Sequence, residues 1–258
     1  MSLADTIAKV RSGVFQIAFA NANDEKIGGG SGFLANDFLI TNNHVYAGHL
    51  EAHRVWLRRD DMPPNEFCVF SREDFTERLV TGSQTYDYAV LKVPEICQNA
   101  DHRFTLEVPA TRRIGDAIAL LGFPLEHDNL TCHQGIISSF YQSDLVSVIQ
   151  IDASVNAGNS GGPLIDPATG VAFGIVTRKA TGLSQLFAQL RNSIQSNIAV
   201  AQAAGGGIVI GDVDLVQSIV VSQNQMLATL AEIERQANVG IGYAFSAEHI
   251  LAEPCMQG

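Results

Sequence analysis

Asn156-Ala157-Gly158-Asn159-Ser160-Gly161-Gly162-Pro163-Leu164 decides how this chain is read. Three glycines around one serine describe a tight turn that brings a hydroxyl and several backbone N–H groups into the same small volume. In isolation such a run is as well explained by the turn alone. A serine hydroxyl becomes a nucleophile only when a base takes its proton and a third group orients that base, so the chemical reading needs two more residues.

Both are upstream. Thr41-Asn42-Asn43-His44-Val45 follows an apolar run that predicts a strand, and it offers a histidine at the strand end. Tyr86-Asp87-Tyr88-Ala89-Val90-Leu91-Lys92-Val93 places an acid just before another apolar strand. The chain order is His, Asp, Ser, with 43 residues from 44 to 87 and 73 from 87 to 160. That spacing suits two barrels facing each other across a site, and the order differs from those of α/β-hydrolases and subtilisins.

The surrounding pattern is β-rich. Short apolar runs broken by Gly, Asn, Asp and Pro predict strands at 14–20, 31–35, 38–41, 52–57, 89–93, 117–122, 131–140, 146–151, 162–165 and 171–177, preceded by a short helix at 2–11. The period then changes. Leu183, Leu186, Phe187, Leu190, Ile194 and Ile198 recur at intervals of three and four and share a helix face. After a break at 205–207, a second helical run carries Val216, Ile219, Val220, Met226, Leu227, Leu230 and Ile233, with Asp212 or Asp214 as cap and Gly240 as stop. One last strand at 241–245 and a short helix capped by Ser246 close the chain.

These segments resemble the trypsin-like serine peptidases, and within them the high-temperature-requirement (Deg) branch. The resemblance rests on Gly-Ser-Gly-Phe at 30–33, Thr-Asn-Asn-His-Val at 41–45, Asp-Tyr-Ala-Val-Leu-Lys at 87–92 and Gly-Asn-Ser-Gly-Gly-Pro-Leu at 158–164, with Gly-Phe-Pro at 122–124, Gly-Ile-Ile-Ser at 135–138 and Gly-Ile-Gly-Tyr-Ala at 240–244 in support. It implies a mainly β fold of two antiparallel six-stranded β-barrels with a helical insertion in the second. The barrels would occupy 1–182 plus 238–258, and 183–237 would form an inserted helical arm. It also implies a serine endopeptidase without a cofactor. Ser160 would attack a peptide carbonyl, His44 would carry the proton, Asp87 would orient the imidazole, and the N–H groups of Gly158 and Ser160 would form the oxyanion hole. A catalytically resting or inactive protease-fold protein, acting as a peptide-binding or chaperone-like module, is the alternative from a different class.

Several residues depart from digestive trypsins. Those rely on a new N-terminal ammonium pairing with an aspartate beside the serine, and Asn159 has no charge to offer; Ile27-Gly28-Gly29-Gly30 reads instead as the loop entering the Gly-Ser-Gly-Phe strand. Their histidine loop is braced by a disulfide, and no cysteine lies near His44. Six residues before the serine, at the floor of the primary pocket in this resemblance, stands Ser154, followed by Val155, with Ile175, Val176 and Thr177 as a wall. The floor holds no carboxylate to attract Lys or Arg, so small or medium aliphatic side chains are the expected preference. Arg178 and Lys179 beyond the wall could hold an acidic residue.

The rest of the chain sets limits. Among 258 residues, 16 basic and 27 acidic give a net charge of −11, which argues against a nucleic-acid partner, and no apolar run is long enough to span a membrane. Cys68, Cys97, Cys132 and Cys255 lack CxxC spacing and read as free thiols. His44, His49 and His53 lack the ligands that would complete a metal site, so no metal is expected. Cys132 and His133 are adjacent in a strand and point to opposite faces, which excludes a Cys–His pair. The helical arm either packs back on its own barrel or mates with another subunit, and the apolar run 213–221 favours a homo-oligomer. The chain ends within about ten residues of the last strand, so no peptide-binding PDZ module is expected after it. With no signal segment at the N-terminus the chain reads as cytoplasmic if that end is native, and as exported if a signal was trimmed.

Overall fold

The computed structural model describes residues 2–63, 66–97, 101–125, 128–177, 182–203, 209–210, 213–237 and 240–257. By the density of contacts along the chain, Met1–Arg178 with Gly240–Gly258 forms one compact unit and Lys179–Val239 a second.

The first unit opens with helix α1 (Leu3–Val10), whose N-cap Ser2 and Asp5 exchange side-chain and backbone hydrogen bonds in a capping box. Its first sheet contains β1 (Val14–Ala20), β2 (Lys26–Ala35), β3 (Phe38–Thr41), β4 (Arg54–Arg58), β5 (Cys68–Ser71), β6 (Leu79–Ser83) and β7 (Tyr88–Leu91), in the order β5-β4-β1-β2-β3-β7-β6. One-turn helix α2 (Asn43–Tyr46) follows β3, and α3 (Arg72–Glu77) links β5 to β6. The second sheet closes on itself as a six-stranded barrel, β10-β15-β12-β11-β8-β9, made of β8 (Ala117–Gly122), β9 (Thr131–Ser143), β10 (Val146–Ile151), β11 (Pro163–Ile165), β12 (Ala172–Thr177) and β15 (Gly242–Ser246). Short helices α4 (Pro94–Cys97) and α7 (Glu248–Leu251) complete the unit.

The expected two-module β architecture is present, with seven strands rather than six in the first sheet. The two strands that periodicity does not reveal, β5 and β6, are its outer strands. Most of their residues are exposed or half-buried, so burial imposes little apolar alternation there. β2 also begins earlier than expected. The glycine run 28–30, read as a loop, pairs in register with Phe19, Ala18 and Ile17 of β1.

Three clusters fill the unit. Phe15, Ile17, Phe19, Leu34, Leu39 and Leu57 pack inside the first sheet, and Ile118, Leu120, Ile149, Phe173 and Val176 inside the closed barrel. Between the sheets lie Phe33, Ile40, Tyr88, Val90, Phe123 and Ile175, contributed by both. β1 and β12 are buried on both faces because each contributes to the cluster between the sheets as well as to the cluster inside its own. The four cysteines are free thiols. No helix among the described residues is long and apolar enough to cross a membrane.

The second unit contains α5 (Gly182–Ala203), the short strands β13 (Val209–Ile210) and β14 (Val213–Asp214), which pair with each other, and α6 (Leu215–Ala237) packed on α5. α6 begins directly after Asp214, one of the two caps expected for this helical run. Asp214 caps it, accepting from the N–H of Val216 at 2.9 Å and of Gln217 at 3.1 Å. Each helix carries two apolar rows. On the inner row Ile194 and Leu230 are buried and Phe187, Ile198, Val216, Val220 and Leu227 are half-buried, whereas Leu186, Leu190, Val200, Leu215, Ile219, Met226 and Ile233 are all more than a third exposed.

Candidate active site

His44 lies on α2, immediately after β3, and its side chain is about half exposed. Its ring Nδ1 is 2.8 Å from Asp87 Oδ2 and 3.0 Å from Oδ1, while its backbone N–H donates to Asp87 Oδ1 at 2.9 Å. A carboxylate at Nδ1 selects the tautomer that carries the proton there, leaving the Nε2 lone pair available to accept one.

Asp87 reaches this position through an unusual backbone. Its φ of +48° is in the left-handed region, which few residue types other than glycine enter, aspartate and asparagine being among the more tolerant. Asn42 Nδ2 donates to the Asp87 carbonyl at 2.9 Å, and Thr177 Oγ1 donates to Asp87 Oδ2 at 3.2 Å. These two contacts fix the turn and the carboxylate from opposite sides.

The serine loop is held by its carbonyls. Ser31 Oγ donates to Gly158 O at 2.7 Å and accepts from Phe123 N at 2.8 Å, Leu125 N donates to Ala157 O at 2.8 Å, and Ser31 N donates to Ser160 O at 2.8 Å. Gly158 has φ +97°, and a Cβ there would lie 2.4 Å from Phe123 O, so no other residue fits this turn. Gly30 admits the loop to the histidine side, because a Cβ on it would stand 2.7 Å from Val45 and 3.0 Å from Ser160 O. Among the described residues no acceptor takes the N–H of Gly158 or of Ser160. Two donors beside a nucleophile and unused by the fold are what an oxyanion site requires.

Ser160 itself is buried, and among the described residues no hydrogen bond joins its Oγ to His44. Such contacts often tighten only when substrate is bound. Asn159 is fully buried, and among the described residues neither end of its side-chain amide has a partner.

The five pocket residues separate. Ser154 is partly exposed, and its Oγ accepts from Gly240 N at 3.1 Å. Val155 is buried in the barrel core with Val176, and Ile175 is buried between the two sheets. The side chains of Ile175 and Val176 are therefore core rather than an open wall, because β12 is covered on both faces. Thr177 is buried and its hydroxyl serves Asp87. Arg178 and Lys179 lie outside the described residues. Ser31, Asn42 and the Thr177 hydroxyl are the functional contacts that sequence reasoning missed; the first two sit inside quoted motifs, which was the only signal for them. Among the described residues no three His, Cys, Asp or Glu side chains gather as a metal set would.

Residues 30–175 match the trypsin-like peptidase domain family, which is more than half of the chain. A probable periplasmic serine endoprotease, DegP-like, of Hahella chejuensis is 31% identical over 170 residues, covering 62% of this chain and 32% of that protein. The serine protease Do-like HtrB of Bacillus subtilis is 30% identical over 154 residues, covering 56% of this chain and 30% of its own. The chain thus spans about a third of the length of these relatives. Among solved structures, the HtrA-type protease AlgW with tripeptide is 27% identical with a TM-score of 0.53, covering 69% of this chain and 54% of that one. The active form of the Rv3671c protease from M. tuberculosis shares the fold, with a TM-score of 0.58 at 19% identity over 98% of this chain and 84% of that one. The serine loop, the His–Asp pair and the family match converge, and the chain belongs to the trypsin-like peptidase family.

Proposed function

We propose that this chain is a serine endopeptidase that cleaves polypeptides through an acyl-enzyme, with Ser160 as nucleophile, His44 as general base and acid, and Asp87 as orienting carboxylate. The observations that carry the reading are the Asp87 carboxylate, held at once by the ring and the backbone of His44, and a serine loop whose Gly158 and Ser160 N–H groups are uncommitted among the described residues. Ser160 Oγ bonds to the peptide carbonyl carbon as its proton passes to His44 Nε2, and the oxyanion accepts from Gly158 N–H and Ser160 N–H. The C–N bond then breaks as the imidazolium returns its proton to the leaving amine. Water repeats the sequence to release the acid and restore the serine.

Ser154, at the floor position, offers no counter-charge, which supports cleavage after small or medium aliphatic residues. Labelling with a fluorophosphonate tests the reading. The unaltered protein takes up label and cleaves unfolded casein at neutral pH, and Ser160→Ala does neither. Absence of label on the unaltered protein overturns it.

A second reading, a resting peptide-binding module, draws on two observations: the missing Ser160–His44 hydrogen bond and the unpaired Asn159 amide. A buried, unpaired amide costs on the order of 1–3 kcal/mol, which favours a rearranged loop once substrate arrives. Uptake of label only in the presence of a peptide would distinguish this state from a standing enzyme.

The helical unit supports pairing with a second copy of the same chain. The inner row of each helix follows the outer one by one residue, so an antiparallel pair carries both outer rows on one side. That side is uncharged and holds seven exposed large apolar residues. Covering them in two copies removes roughly 1,200 Å² of surface in all, the lower end of the range for specific interfaces.

A further inference from the structure

The His44 turn is too short to hold itself. α2 has four residues, and a single helical turn is unfavourable on its own because it fixes several residues for one or two hydrogen bonds. Its last carbonyls have no partner inside the turn. None of the four free cysteines lies between 41 and 53, so no covalent link closes the loop.

Arg72, the first residue of α3, reaches this turn from the opposite side. Its Nη2 donates to Tyr46 O at 2.9 Å and to Gly48 O at 3.3 Å, and its Nη1 donates to Thr76 Oγ1 at 2.7 Å. The guanidinium carbon lies over the rings of Phe19 and Tyr46, at 5.5 and 5.8 Å from their centres. Tyr46 closes the circuit by donating its hydroxyl to Thr76 O at 2.9 Å. Gly48 is pressed against the histidine's own backbone, since a Cβ there would stand 2.9 Å from His44 O. Among the described residues no carboxylate pairs with Arg72. Its charge is spent on carbonyl dipoles and ring faces around the turn.

We propose that Arg72 is the positioning residue for His44. It fixes the carbonyl end of α2, so that the imidazole keeps its hydrogen bond to Asp87 and presents Nε2 to Ser160. The role needs a guanidinium. Lysine has one strongly hydrated point charge and lacks the fixed fork of donors that serves two carbonyls and a hydroxyl at once. The proposal rests on the triad reading for its catalytic consequence, and on the α2–α3 geometry alone for its structural one.

The test uses the full chain with Arg72→Ala, the milder Arg72→Lys, and Arg78→Ala as a control. Arg78 likewise covers a ring, that of Phe70, and pairs with Glu95, but makes no contact with the His44 turn. Thermal unfolding and circular dichroism establish that each variant is folded. Peptide turnover and the rate of fluorophosphonate acylation report catalysis, and hydrogen exchange of the segment 42–48 reports the turn. In Arg72→Ala, kcat falls about 10- to 100-fold with KM within about threefold, the range expected when a reacting group is displaced by an ångström. The amides of Tyr46 and Ala47, which donate to Asn42 O and Asn43 O, exchange faster. Millimolar methylguanidinium restores part of the lost rate in Arg72→Ala and none in Arg78→Ala, and Arg72→Lys stays impaired. A folded Arg72→Ala with unchanged kcat, or with unchanged exchange in 42–48, overturns the proposal. If the unaltered protein takes up no label, the endopeptidase reading fails, and the exchange result still decides whether Arg72 holds the turn.

Discussion

The two compact units use their apolar residues in opposite ways. In the barrel unit the large side chains of the central strands β1 and β12 are buried on both faces, and the glycines that carry the serine loop are packed against neighbouring backbone. In the helical unit one row of each helix is mostly half-buried, with one buried residue, and the other stays exposed. The first arrangement is self-sufficient and the second is not. Strands buried on both faces can hold a strained turn such as Asp87, and an exposed apolar row is suited to recognition.

The largest expected effect breaks the comparison at its catalytic end. Asp87→Asn leaves the fold intact and lowers peptide turnover by about 10⁴, through loss of the tautomer that His44 needs. Replacing 183–237 with a short Gly-Ser linker leaves turnover of the same small peptide within a few-fold. A similar loss in both variants would place catalysis across the two units and dissolve the distinction.

Stability offers an intermediate effect. Phe173→Ala, in the closed barrel, is expected to cost about 3–5 kcal/mol in chemical denaturation. Ile219→Asp, on the exposed row of α6, should change unfolding of the single chain by no more than about 0.5 kcal/mol. The same substitution is expected to convert a dimer to a monomer in sedimentation. An unchanged mass would remove the pairing of two helical units.

The smallest effect is a pH dependence confined to the barrel unit. Burial, with Lys9 beside it, holds His102 below the usual imidazole value of about 6.5, and burial does the same for His133. Between the depressed folded values and 6.5 the unfolded chain binds more protons than the folded one. The contribution of these residues is therefore complete above pH 6.5 and declines as pH falls below it. Residues 179–239 contain no histidine. Segment-resolved hydrogen exchange at pH 7 and 5.5 should show the barrel strands losing protection faster than α5 and α6, with the slope reduced by His102→Gln and His133→Gln. Equal loss in both units would contradict this account.

Much of this was legible in advance, for a physical reason that differs by element. Strands such as β1, β3, β8 and β10 were placed residue for residue, because burial forces continuous apolar runs between turn residues. β5, α3 and β6 were missed, because exposed elements carry no comparable constraint. For the site, His44, Asp87 and Ser160 stood inside motifs whose residue types are dictated by chemistry. Ile175 and Val176 were assigned to a pocket wall by the family resemblance, and whether a strand is covered on one face or two is not written in its own residues.

The sequence by itself determined the family, the order of the candidate triad and the glycines that the serine loop demands, since each is a local requirement of residue type. Only the tertiary structure decided which groups hold those residues in place. Thr177 meets Asp87 from 90 residues away, Ser31 meets Gly158 from 127, and Arg72 meets Tyr46 from 26. Such partners are ordinary residues in sequence. They acquire a role only when two sheets close and a guanidinium, a hydroxyl or a carboxamide is brought to an unsatisfied polar atom.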